Sequence, residues 1–168
     1  MRVVLVTGTV GVGKSTIGHA LAERAARGGI SAAFLDVDEL SRLWPAPAGD
    51  PFRTELTLTN LRAVTGNYKA AGANLLVLAW AIQDADDLTR LEAAIGARVR
   101  GIRLCAPTEI VEMRLRQRHQ GPESDGLAWH LRRAPELLAI QEHGLSLPTV
   151  DASGQVTEVA DAVLDSLD

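Results

Sequence analysis

The sequence predicts an α/β fold of three layers, a parallel sheet with helices on both faces. Three observations carry that prediction. Short aliphatic and β-branched runs alternate with amphipathic stretches along the 168 residues. The first such run, Val3-Val4-Leu5-Val6, leads into Gly8-Thr9-Val10-Gly11-Val12-Gly13-Lys14-Ser15, which fills the phosphate-loop pattern G-x-x-x-x-G-K-[ST] without a gap. The third, Leu75 to Ala81, is apolar throughout, as a central strand covered on both faces must be.

Each element has a local reason. Strand one is Val3 to Thr7. Helix one runs from Lys14 to Arg27 with Ile17, Leu21 and Ala25 on one face, and stops at Gly28-Gly29. Strand two is Ser31 to Val37, followed by a helical turn over Glu39 to Leu43. The prolines of Trp44-Pro45-Ala46-Pro47-Ala48-Gly49-Asp50-Pro51 stiffen a loop. A long helix covers Arg53 to Ala71. Strand three spans Asn74 to Ile82. Asp84 or Asp86 caps the next helix, which ends near Gly96. Strand four is Val99 to Cys105, and Pro107-Thr108 opens the helix bearing Arg114, Arg116 and Arg118. A polar break over Gln120 to Gly126 precedes a helix from Leu127 to His143. Strand five lies near Leu147 to Val150, and the last helix covers Thr157 to Leu167.

Composition narrows the function. A chain of this length suits one domain, here the whole span 1–168. At 46% hydrophobic it can bury a proper core. A net charge of −4 argues against a general nucleic-acid surface, and 4% aromatics argue against base stacking. The one cysteine, Cys105, has no internal disulfide partner. No signal-peptide pattern or membrane-length apolar run is present, so the expectation is a soluble cytoplasmic protein, monomer or homodimer, acting away from membranes.

In the glycine loop, backbone N–H groups converge on an anion and the first turn of the new helix adds its dipole. Lys14 can reach the β- and γ-phosphates, and the Ser15 hydroxyl can ligate Mg²⁺. Strand two ends in Asp36-Val37-Asp38. On a strand, a period of two puts both carboxylates on one side, where they can hold Mg²⁺ through waters and accept a substrate proton; the alternative is that Asp38 caps the following turn. Strand three ends without an acid, and the guanine-reading motif Asn-Lys-x-Asp is missing. Arg114 and Arg118 share a helix face, as phosphate ligands or as a charged surface balanced by Glu109 and Glu112. Val150-Asp151-Ala152-Ser153-Gly154 is either a backbone platform for a purine or a plain helix-entry turn. Arg53 and Asn60, two turns apart, and Trp44 are candidates for the wall of an acceptor pocket; the alternative is solvated polar groups and a tryptophan covering the core.

On these motifs the chain resembles the small-molecule kinase branch of the P-loop proteins, among them the adenylylsulfate, gluconate and shikimate kinases and chloramphenicol phosphotransferase. The resemblance covers nearly the whole length. It implies a five-stranded parallel sheet in the order 2-3-1-4-5, ATP and Mg²⁺ as cofactors, a small-molecule hydroxyl acceptor, and a helical lid over about 114–133. It implies a nucleotide site at Gly8, Gly11, Val12, Gly13, Lys14, Ser15, Thr16 and Asp151. Ser15 and Asp36 would serve the metal, and Asp38 the acceptor hydroxyl, with Lys14, Arg114 and Arg118 assisting transfer. Trp44, Arg53 and Asn60 remain acceptor candidates by their position beside the long helix, not through the resemblance. Departures stand beside these matches: strand three ends in Ala79-Trp80-Ala81 where shikimate kinases carry a double glycine, and Trp44-Pro45-Ala46-Pro47 fits none of the four groups. The alternative function is a P-loop switch or accessory protein that binds or hydrolyses ATP without an acceptor.

Overall fold

The computed structural model describes residues 1–119 and 124–167. Strands β1 (Arg2–Thr7), β2 (Ala32–Asp36), β3 (Leu75–Ala79), β4 (Val99–Cys105) and β5 (Thr149–Asp151) form one sheet in the order β2-β3-β1-β4-β5. Every neighbouring pair is parallel, with Val4 opposite Val77 on one side and Arg100 on the other. The central position of β1 and β3 explains their composition: from Val3 to Thr7 and from Leu75 to Ala79 every residue is buried.

Among the described residues the α-helices are six: α1 (Lys14–Arg27), α2 (Thr54–Ala70), α3 (Ala85–Ile95), α4 (Thr108–Arg118), α5 (Ser124–Gly144) and α6 (Val156–Asp165). One face of the sheet packs Val4, Val6, Val77, Ile102 and Leu104 against Leu21 of α1 and Val163 of α6. The other packs Leu5, Leu76 and Leu78 against Leu61 of α2 and Leu91 of α3. A third cluster joins Val111 and Leu115 of α4 to Ala134 of α5 and to Val10 of the glycine loop. Among the described residues no helix is long and apolar enough to cross a membrane.

The boundaries differ from expectation mainly at the carboxyl ends of the strands. The strand expected to reach Ile82 ends at Ala79, and the one expected to reach Val37 ends at Asp36. The turn expected over Glu39 to Leu43 is a 3₁₀ helix over Val37–Ser41. Asp84 caps α3 by accepting from the amides of Asp86 and Asp87, each at 3.0 Å. The helix expected from Leu127 already includes Ser124 to Gly126; of the polar break, residues 120–123 lie outside the described residues.

Candidate active site

The glycine loop leaves β1 at the carboxyl edge of the sheet, where open α/β folds bind ligands. Gly8, Gly11 and Gly13 have φ of 138°, 79° and 109°, a region that side chains disfavour. A Cβ on Gly8 would stand 2.6 Å from the Leu104 carbonyl oxygen, and one on Gly11 would stand 2.7 Å from Leu115 Cγ. Thr9 is tied down from outside: its hydroxyl donates to the Ala134 carbonyl at 2.6 Å, one residue before Pro135 in the interior of α5. Lys14 starts α1 and is only 9% exposed, and its Nζ donates to the Thr9 carbonyl at 3.0 Å. Burial lowers its pKa to about 8, opposed by the charges of Asp38 and Asp36 and aided by Arg118. A buried cation with one backbone partner is well placed to gain from a phosphate.

The two carboxylates take different parts. Asp36 ends β2 and accepts the Ser15 hydroxyl on Oδ2 at 2.6 Å, while Oδ1 accepts the Asp38 amide at 3.2 Å. Asp36 is therefore the cap of the 3₁₀ turn, and Asp38 lies inside that turn. The expectation that strand alternation aligns the pair fails because β2 stops between them; the turn, not the pleat, places Asp38. Asp38 keeps an exposed surface, yet the protein crowded about its carboxylate raises its pKa by desolvation. The nearby Lys14 charge works against that rise and Asp36 works with it. Solvent at the exposed side moderates all of these charge effects.

A cavity of about 490 Å³ opens over the loop, lined by Gly11 to Ile17, Asp36, Arg114, Gln117, Arg118 and the turn residues Ala152 and Gly154. The arginines divide. Arg114 donates to the carbonyls of Val12 and Ala152, both at 2.8 Å, and so joins the glycine loop to the turn after β5. Arg118 lines the cavity and has no hydrogen-bond or ion-pair partner among the described residues. Arg116 turns away to Glu112 at 3.6 Å.

No protein-family model matches the sequence, and no curated protein does. Solved structures do. The chain is similar to a gluconokinase from Sinorhizobium meliloti 1021 at 19% identity and TM-score 0.66, over 99% of this chain and 91% of that one. It is similar to a tunicamycin resistance protein from Deinococcus radiodurans at 22% and 0.69, over 99% and 95%. It is similar to an APS kinase from Mycobacterium tuberculosis, solved with AMPPNP and APS, at 25% and 0.63, over 99% and 96%. The chain has the fold of the P-loop small-molecule kinases.

Within this P-loop kinase fold the remaining candidates are distributed unevenly. Asp151 does not line the cavity; its carboxylate accepts the Ser153 amide at 2.9 Å, which lowers its pKa and sets the turn that presents Ala152 and Gly154. Asn60 donates to the Leu40 carbonyl at 2.9 Å, holding α2 to the 3₁₀ turn. Arg53 precedes α2 with φ of 58°, donates to the Leu43 carbonyl at 2.7 Å, and lies 5.9 Å over the Trp44 ring. Its guanidinium is engaged with the loop that Trp44 tops, and the helix is capped instead by Asp50, which accepts the Thr54 and Leu56 amides. Trp80 packs at the margin of the core. Ala152 and Gly154 of the turn considered as a purine platform do line the cavity, whereas Gln117 carries no signal in the sequence that would mark it as a cavity residue. His130 also escapes sequence reasoning: its ring lies 5.0 Å from that of His119, and burial followed by the charges of His119, Arg118 and Lys14 lowers its pKa.

Proposed function

We propose that this chain is a kinase in activity as well as in fold, moving the γ-phosphate of Mg·ATP to a hydroxyl of a small-molecule acceptor. One observation carries the reading: Lys14 and the Ser15–Asp36 pair line one cavity with the glycine loop, and Asp38, although not itself a lining residue, stands close enough for its charge to act on Lys14. Loop amides and the buried Lys14 ammonium would hold the β- and γ-phosphates. Ala152 and Gly154 would bracket the base at the far end. Asp38, with its raised pKa and its place beside Lys14, is the base for the acceptor hydroxyl. The acceptor oxygen bonds to the γ-phosphorus as the bond to the β-bridging oxygen breaks, and the hydroxyl proton passes to Asp38. Arg118 would meet the charge that spreads over the moving group.

Mg²⁺ suits the donors present. A hydroxyl and a carboxylate held 2.6 Å apart are hard oxygen ligands at the foot of the phosphate site. Bound there, the ion would neutralise charge on the β- and γ-oxygens.

The acceptor side favours a neutral compound with apolar surface. The loop beyond Asp38 exposes Trp44 at 71% and Phe52 at 86%, and both of its arginines are engaged, Arg42 with Glu39 and Arg53 with Leu43 and Trp44. The test is ADP release with Mg·ATP across hydroxyl compounds, including adenylylsulfate, gluconate, shikimate, nucleosides, aminoglycosides and apolar natural products, with Lys14→Ala as control. An acceptor that stimulates turnover, lost in the control, supports the reading. Nucleotide binding with no stimulation by any acceptor favours a P-loop switch.

A further inference from the structure

A second cavity, of about 580 Å³, lies at the opposite pole of the molecule. It opens at the amino ends of β1, β3 and β4, about 10 Å from Lys14 along α1, taking Leu21 as its near edge. Strand alternation and the parallel register put Arg2, Val4, Leu75 and Arg100 on the face that α1 and α6 cover. The floor is aliphatic: Val4, Leu21, Ala25 and Leu75 are each below 10% exposed, and Ile30 and Leu164 extend it. Among the described residues no aromatic ring lines it.

The rim has the opposite character. Arg2, Arg24, Arg98 and Arg100 surround the opening, on a chain whose net charge is −4. Arg24 is paired with Asp161 at 2.9 Å and Arg98 with Glu92 at 3.0 Å. Arg2 and Arg100 have no ion-pair partner among the described residues. Small-molecule sites have this size and this plan, an apolar body with a few convergent polar groups that fix one end of the ligand. Guanidinium groups select carboxylate or phosphate at that end.

We infer that this cavity is a second ligand site, for an amphipathic anion with an aliphatic tail on the leucine floor and a carboxylate head between Arg2 and Arg100. It is independent of the phosphate site and of phosphotransfer. The probe is octanoate, with octanol as its uncharged counterpart, titrated into the full chain and followed by methyl NMR. Octanoate should shift the methyl signals of Val4, Leu21 and Leu75 and leave those of Val12 in the phosphate loop unmoved. It should bind at least about tenfold more tightly than octanol, although it is the more water-soluble of the two. The double variant Arg2→Gln, Arg100→Gln should weaken octanoate about tenfold, leave octanol unchanged, and leave nucleotide binding intact. Equal affinity for the two probes, or shifts confined to other methyls, overturns the inference. So does octanoate affinity that survives the double variant.

Discussion

Ser15 Oγ donates to Asp36 Oδ2 at 2.6 Å and thereby joins the first turn of α1 to the tip of β2. The pair brings a hydroxyl and a carboxylate to the foot of the phosphate cavity from elements 21 residues apart. Asp36→Asn keeps the shape and removes the charge. The Mg²⁺ concentration for half-maximal activity should rise about 10–100-fold, with little change in thermal stability. A Mg²⁺ titration of ADP release checks this; an unchanged midpoint would remove Asp36 from the metal site.

Lys14 binds fewer protons in the folded chain than in the unfolded chain between about pH 8 and its ordinary value near 10.5. Stability against unfolding should therefore rise with pH across that window. Nucleotide affinity should do the reverse. Phosphate favours the ammonium form, so the Kd for Mg·ATP should increase as pH rises through about 8. Titrations at pH 7 and pH 9 check this. In Lys14→Ala, binding should be weaker at both and the dependence should vanish.

Asp38 has its pKa raised, first by desolvation, so it should be protonated at pH values where an ordinary aspartate is not. Once an acceptor is known, kcat/KM should fall as pH drops through that raised pKa. Asp38→Asn should abolish the acid limb and lower kcat by about 10²–10⁴-fold, with the nucleotide Kd nearly unchanged.

Arg114 and Arg118 share a helix face and should fail differently. Arg114→Ala leaves the Val12 and Ala152 carbonyls without their donors, at about 1–3 kcal/mol. Its Tm should drop by roughly 2–12 °C. Arg118→Ala breaks no bond among the described residues, so its Tm should hold while kcat falls about 10²–10³-fold. Thermal melts beside steady-state kinetics separate the two.

Gly11→Ala tests the loop itself. The added Cβ would stand 2.7 Å from Leu115 Cγ, at a φ of 79°. Strain and overpacking together should cost about 2–4 kcal/mol, visible in urea unfolding.

The sequence by itself determined what rests on neighbours along the chain. The glycine loop is contiguous, so its torsions, its lysine and its helix start are specified within eight residues. The all-apolar β3, the Asp84 cap and the stop at Gly96, with φ of 70°, follow from residue type and spacing in the same way. Tertiary structure decided everything that depends on partners far apart. Arg114 and Arg118 are chemically equivalent in the sequence; the carbonyls that engage Arg114 lie 102 and 38 residues away, and nothing near Arg114 encodes them. Asp38 looked like a strand residue because its alternation with Asp36 is correct, but Asp36 drew the Asp38 amide into a turn. Thr9 reaches across 125 residues to Ala134, and Arg2 and Arg100 come to the rim of one cavity only through strand register. Local propensities write the elements. The site arises where the order of the strands brings their ends together, and that order is set by which buried faces fit.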